Sequence, residues 1–519
     1  MRRSSSRPPD IPPRLLSAAC AAKTNSRPLG CAEFSAINRP PCPRSAARIS
    51  NMDGHTDLST KGEPMDEPPA VAHCAEGEAY VRFDLRPGYN TTESRALDPA
   101  ASPNASLLST GQATMHLIKA MLGTGVLTLP LAFKHAGLYV GLLLLVVIAA
   151  VNLYCMRMVV AAADFVRAKT GQRGIDYANI MRGAVESGPP WIRRHGYFFK
   201  VGARSQLVNV NIFLGQLGCC SIYFVFMADN LQDFFFKNLD WEMQKGLWML
   251  LIALPVLAVC SIRRLSQLAP FAMAANFVYF CAIGIVVYFF FTNLQSPSSL
   301  VKVGKLGDLP LFFCTVMFAF EGVPVIMPIE NKMLNPKDFV AWNGVLHRAC
   351  LVVLTVFTIV GFFGYLAVGD EVQDAVTLNL PEDAFYQVIK LMFVMCVLIS
   401  YPIQFFVPLE RVEKWITRKC APEKHTQLIY TARFSIVIMT LAVAELVPHL
   451  GLVIALMGAV AATALAVFFP TLIDLLVCYS KRNLPLRILL IDLSLMVIAF
   501  FVFLTGTYTA LSDILKTFD

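Results

Sequence analysis

The sequence predicts an all-α polytopic membrane protein, with about eleven membrane-crossing helices behind a disordered N-terminal tail. Three observations predict it. Of 519 residues 56% are hydrophobic and only 15% charged, against roughly 25% charged residues in a soluble domain, and the mean hydropathy is +0.56. Apolar runs recur almost without pause from Ser109 to Ile514. Two of those runs are interrupted by glycine and proline at corresponding places in the chain.

The first 107 residues hold 14 of the 31 prolines, 13 Lys and Arg against 12 Asp and Glu, and no apolar run long enough to pack. Such a segment cannot bury enough surface to offset its ordering entropy, so 1-107 reads as a disordered tail. Its first 51 residues carry nine Arg or Lys with only Asp10 and Glu33, a loose imitation of a transit peptide without the apolar region of a secretory signal. They read as a disordered extension, or as residues ahead of an alternative start at Met52 or Met65. Tyr80-Val81-Arg82-Phe83 has the form of an endocytic sorting signal, a short pattern common by chance. The formal charge of +8 lies mostly in the membrane part and does not imply nucleic-acid binding.

A membrane-crossing helix needs roughly 20 mostly apolar residues. That length assigns spans at about 109-132, 137-163, 205-228, 246-262, 270-293, 308-329, 348-368, 384-408, 428-446, 450-478 and 484-511. Lys and Arg are retained on the cytoplasmic side, and the loops after spans 2, 4, 6, 8 and 10 are the basic ones, with Arg193-Arg194, Arg263-Arg264, Arg418-Lys419 and Lys481-Arg482. The alternate loops and the C-terminus hold only Lys134, Lys237, Lys245, Lys302, Lys305 and Lys516. The N-terminus is therefore expected in the cytoplasm and the C-terminus outside the cell or in an organelle lumen, with plasma membrane and lysosomal membrane both open. Of 14 cysteines, four are in the tail, Cys420 is in a basic loop and the rest fall in spans, so no disulfide framework is expected. The sequons at Asn90 and Asn104 lie in the tail and should not be glycosylated.

In span 1, Gly123-Thr124-Gly125 interrupts the helical run and Pro130 follows; in span 6, Glu321-Gly322-Val323-Pro324 does the same with Pro328 behind it. Glycine makes non-helical dihedrals cheap and proline removes a donor. Unwound backbone is tolerated in a bilayer only where it lines a cavity or finds a partner. Spans 1 and 6 begin two successive groups of five, and matched breaks point to inverted repeats with a midplane site. The membrane domain, 108-515, thus divides into repeat 1 at about 109-293, repeat 2 at about 308-478 and an extra helix at about 484-511. Half-helix N-termini suit a carboxylate, and half-helix C-termini an ammonium. A zwitterionic amino acid carries both. Gly123, Thr124 and Gly125 form the expected cradle, with the span 6 break, Phe320, Glu321 and Gly322, opposite. The alternative is that the small residues serve tight helix packing.

Ionisable side chains deep in a span are functional candidates by default. His116 lies two turns before the Gly123 break, and imidazole exchanges its proton in the mildly acidic range. It is the candidate proton-coupling residue, or else a histidine satisfied by a neighbouring carbonyl. Lys119, on nearly the same face, would oppose its protonation unless a carboxylate relieves it. Glu321 is the second proton-coupling candidate, a carboxyl that could respond to substrate; the alternative is a structural hydrogen bond to freed backbone. Glu330 is expected at the interface, and Asp474, Arg157 and Asp492 near enough to the cytoplasmic ends to reach water.

The stretch from Met115 through His116 to Gly123-Thr124-Gly125, followed by Leu129-Pro130-Leu131-Ala132-Phe133-Lys134, resembles the first helix of the proton-coupled amino acid transporters. Phe318-Ala319-Phe320-Glu321-Gly322 through Pro328-Ile329-Glu330-Asn331-Lys332-Met333 resembles their sixth. The resemblance covers about residues 105-515 and places the chain in the amino acid/auxin permease branch of the amino acid, polyamine and organocation superfamily. It implies the five-plus-five transporter fold and symport of small neutral amino acids such as glycine, alanine or proline with protons, with the histidine matching His116 in the coupling. The outward-loop cysteine pair and sequons of mammalian members are absent, and Ala120 and Met121 replace the usual glycine and asparagine, which bears on substrate identity.

The expected function is thus secondary active transport by alternating access, with no enzyme activity and no cofactor beyond the proton gradient. The chain has no phosphate-binding loop of the Gly-x-x-x-x-Gly-Lys-Ser/Thr form and no metal-spaced Cys/His cluster. The expected partners are small neutral amino acids, protons and the lipid bilayer. Two alternatives stay open: an amino acid sensor signalling or trafficking through tail partners in the cytoplasm, and an exchanger without proton coupling.

Overall fold

The computed structural model describes residues 107–172, 174–190, 203–262, 265–447, 449–481 and 485–518. The expected disordered tail, its motifs and sequons, Arg193-Arg194, Arg263-Arg264 and Arg482 lie outside the described residues. Among those described the regular structure is helical, apart from a single bridge between Leu108 and Met333.

Helix 1 is split into 1a, Thr110–Met121, and a second half made of a 3-10 turn, Thr124–Thr128, and 1b, Leu129–Ala136. The two halves meet at 49°. Helix 2 is Leu138–Thr170, followed by a short helix Tyr177–Ser187. Helix 3 is Ala203–Leu239, helix 4 Lys245–Cys260 and helix 5 Leu265–Thr292. Helix 6 is split into 6a, Leu309–Ala319, and 6b, Val323–Glu330. Helix 7 starts as Val345–Thr358 and passes through a π turn, Ile359–Phe363, into Gly364–Val368. Helix 8 is Ala384–Lys419 and helix 9 His425–Leu446. Helix 10 joins Leu450–Met457 and Phe469–Ser480 through two π turns, and helix 11 is Leu486–Phe518.

Each of the eleven expected segments falls on one of these helices. Among the described residues nine helices are long and apolar enough to cross a membrane, and the bent helix 1 makes a tenth. Helix 4 is the exception: its 16 residues reach about 24 Å, short of the ~30 Å hydrocarbon layer. The outward faces suit lipid, with Val497, Phe500, Phe501 and Leu504 of helix 11 exposed.

The prolines explain where the broken helices restart. Pro130 and Pro324 sit in the first turn of 1b and 6b, where a missing N–H leaves no acceptor unpaired. Helix 1a starts with a capping box: Ser109 Oγ accepts from Gln112 N at 3.3 Å, and Ser109 N donates to Gln112 Oε1 at 3.0 Å.

The helices assort into two packed groups. Helices 3, 4, 8 and 9 are tied by buried polar contacts. Ser221 Oγ donates to Thr440 O at 3.0 Å, Tyr401 meets Thr440 Oγ1 at 2.7 Å, and Arg433 donates to Cys260 O at 2.7 Å and Glu413 at 2.9 Å. Helices 1, 2, 6 and 7 are tied by rings and one ion pair. Phe133 packs edge-on to Phe312 and Phe362, Phe320 to Phe357, and Arg167 of helix 2 grips Glu330 at the end of 6b. Helix 10 lies against 6a so closely that a Cβ on Gly458 would stand 1.9 Å from the Cys314 carbonyl oxygen.

One expectation about charges needs correcting. Asp492 does not reach water: it is fully buried, with helix 10 packed along helix 11. Glu330, at the end of 6b, is enclosed too, 2% exposed, because Arg167 reaches it with both terminal nitrogens, one at 2.8 Å.

Candidate functional site

The two breaks meet. The C-terminal end of 1a and the N-terminal end of 6b approach on one side, and the 124–128 turn lies against 6a on the other. Two helix starts and two helix ends therefore converge. The first N–H groups of a helix and its last carbonyls have no partner within it, so the junction holds donors at Thr124 and Gly125 and acceptors at the end of 6a. Some are already used: the Gly123 carbonyl accepts from Tyr279 of helix 5 at 2.8 Å and from Val126 N at 3.3 Å, and the Phe318 carbonyl from Glu321 N at 3.1 Å.

Between the breaks is a chamber of about 60 Å³, lined by Gly123, Thr124, Gly125, Phe318, Ala319 and Glu321 with Gln216, Tyr223 and Gln404 from helices 3 and 8. It leads into a vestibule of about 1410 Å³ that shares Gly123, Thr124, Gln216, Tyr223 and Gln404 as walls. The vestibule ends among Lys332, Arg411, Lys414, Arg418 and Lys419, with Asp176 and Glu410, which is the side of the basic loops. On the opposite side the described residues close over the junction. Gly304 N donates to Ala136 O at 2.8 Å across the end of 1b, Gly451 N to Asp374 at 3.2 Å, and the turn Val376–Asn379 rests against the 124–128 turn.

The expected site residues play distinct parts. Gly123 faces open space, with no atom within 4 Å of where a Cβ would stand. Gly125 serves close approach instead: a Cβ there would be 2.9 Å from Ala319 Cα. Thr124 is 5% exposed and turned to the chamber. Glu321 lines the chamber, and its Oε1 is buried without a hydrogen-bond partner. Gly215 of helix 3 lies beside it, where a Cβ would stand 3.4 Å from that oxygen. Phe320 and Gly322 belong to the wall behind: Phe320 stacks edge-on to Phe357 at 4.7 Å between centroids, and Gly322 accommodates the Met121 side chain. His116 and Lys119 line the vestibule, not the chamber, and His116 is exposed. The two proton-coupling candidates thus share no wall.

Gln216, Tyr223, Tyr279 and Gln404, from helices 3, 5 and 8, were not expected at the site, because only the two breaks and the ionisable groups in the spans pointed to it. The available signal was an uncharged amide inside an apolar run, as at Gln216 and Gln404, where an unpaired amide is costly.

Comparison with known proteins decides the identity at the level of family. Residues 107–512 match the family described as "Transmembrane amino acid transporter protein". The chain belongs to that transporter family. It is 30% identical over 473 residues to "Proton-coupled amino acid transporter-like protein pathetic" of Drosophila melanogaster, covering 89% of this chain and 98% of that one. It is 26% identical over 445 residues to "Probable amino acid transporter skat-1" of Caenorhabditis elegans, covering 82% and 95%. Among solved structures, the crystal structure of MhsT in complex with L-phenylalanine aligns at a TM-score of 0.41 with 11% identity, covering 77% of this chain and 98% of that one. This family member is a multi-pass membrane protein that transports amino acids, and its family is one of transporters and not of enzymes.

Proposed function

We propose that this transporter moves small neutral amino acids, of glycine, alanine and proline size, together with protons, by alternating access of the chamber between the two breaks. The observation that carries the reading is the small chamber itself. A small space bounded by helix starts and helix ends suits a compact zwitterion, carboxylate at the Thr124–Gly125 N–H groups and ammonium toward the end of 6a. Glu321 supports proton coupling, because an unpartnered buried carboxyl oxygen beside that ammonium can hold a proton when the chamber is empty and a charge when it is filled. His116 on the vestibule wall then passes protons between that chamber and water. The name of the Drosophila relative points the same way.

In this reading the basic side faces the cytoplasm, so the chain stands open to the cytoplasm and closed to the outside or lumen. The proton gradient is the driving force, with no further cofactor. The test is current and label uptake in oocytes or proteoliposomes across a panel of amino acids at acidic and neutral pH. The expected result is inward current with glycine, alanine and proline that grows with acidity. Binding without flux would favour a sensor, and flux indifferent to an imposed pH gradient would favour an exchanger; either overturns the proposal.

A further inference from the structure

Helix 11 carries a side chain that lipid contact and helix packing do not explain. Asp492 lies about two turns into the helix, is fully buried, and neither of its carboxyl oxygens meets a hydrogen-bond donor. Its neighbour is the carboxyl of Asp474 in helix 10, which packs along helix 11. Tyr154 and Cys155 of helix 2 lie near enough to feel both charges, and Cys478 Sγ of helix 10 lies 3.7 Å from Asp474 Oδ2. The cation that acts on Asp474 is Lys481, one turn beyond Cys478, with its Nζ 5.3 Å above the Phe165 ring. Neither carboxyl lines the chamber or the vestibule.

Two ionised carboxylates are acceptors only, so neither can satisfy the other, and away from water they repel. A single proton resolves this, making one carboxyl the donor and the other the acceptor. We propose that Asp474 and Asp492 form a proton-binding site, separate from the amino acid chamber, that holds one shared proton at the junction of helices 2, 10 and 11. Asp474 is only partly buried and gives the proton its way to water, while Asp492 is the sealed end. Release leaves two like charges in an apolar joint and loosens helix 11 from helices 10 and 2. Because helix 2 packs with the broken helices, the site connects ambient acidity to the group that carries the chamber.

The test is infrared spectroscopy of the purified full chain in phosphatidylcholine vesicles at neutral pH, reading the C=O stretch of protonated carboxyls. The wild type and Glu321→Gln are both expected to show such a component, sensitive to deuterium exchange, the latter with no contribution from the carboxyl of the chamber. Asp492→Asn should remove it, and Asp474→Asn should remove or shift it, whereas Glu321→Gln should leave it in place. Asparagine keeps the shape of the protonated acid, and the double substitution serves if either single variant fails to fold. A wild type without the component, or the component kept in full in the Asp474 and Asp492 variants, overturns the proposal.

Discussion

Gly125 and Glu321 divide the work of the site between packing and chemistry. A Cβ at Gly125 would meet backbone, Ala319 Cα at 2.9 Å, and a well-packed interior resists such insertion at a cost of about 1–3 kcal/mol. Gly125→Ala is therefore expected to lower the melting temperature in detergent and to cut uptake together. Glu321→Gln should behave differently. The amide fills the same space beside Gly215 without exchanging a proton, so protein should fold and reach the membrane while acid stimulation of uptake is lost. His116→Ala is expected to do the same from the vestibule; an unchanged pH profile in a correctly inserted His116 variant would remove it from the coupling. Glycine in a span was legible in the sequence, but its two roles were not. Whether a missing side chain opens space, as at Gly123, or admits a neighbouring backbone, as at Gly125, depends on what the other broken helix brings against it.

Helix 6b is a short element held at both ends. It starts at the chamber with Pro324 in its first turn and ends at Glu330, whose carboxyl is gripped by Arg167 of helix 2. Arg167 also reaches Asn331 at 2.9 Å, and Asn331 donates to Ile175 O at 3.1 Å, so the end of 6b moves with helix 2. Removing one partner of such a buried pair leaves an uncompensated charge, worth about 3–5 kcal/mol. Arg167→Ala is expected to destabilise the fold by that order, with Arg167→Ala/Glu330→Gln recovering part of it, as thermal unfolding of the four proteins of the cycle would measure. At helix 5, Tyr279→Phe removes the hydroxyl that donates to the Gly123 carbonyl. One hydrogen bond contributes about 1 kcal/mol, so stability should change little while uptake falls, because the break itself loses its anchor. The breaks were readable from glycine and proline alone. Their anchors were not, since Arg167 and Tyr279 sit in distant spans and only the packed bundle brings them to 6b and 1a.

Among the described residues the helical bundle is open on its basic side and shut on the other. The vestibule runs from Lys332, Arg418 and Lys419 up to Gly123, and the opposite end is capped by the turn Val376–Asn379 and the contact of Gly304 with Ala136. A cysteine at Ser400, on the vestibule wall, should accordingly react with a membrane-impermeant thiol reagent supplied from the basic side and not from the other. Composition and hydropathy made the helical membrane class plain, and the alternation of basic loops marked the two sides. Which side stands open was not legible, since an alternating structure must have one sequence for both states. The burial of Asp492 escaped for a related reason: distance from the end of a helix says little when neighbouring helices cover that end.

In the proposed cycle the amino acid passes through the space beside Gly123. Counterflow uptake of labelled glycine into proteoliposomes tests it most directly, comparing wild type with Gly123→Ala and with Gly111→Ala, since a Cβ at either position meets nothing within 4 Å and both proteins should fold. The methyl at 123 is expected to abolish uptake while the one at 111, outside the chamber, leaves it intact. Uptake by Gly123→Ala equal to wild type would contradict it.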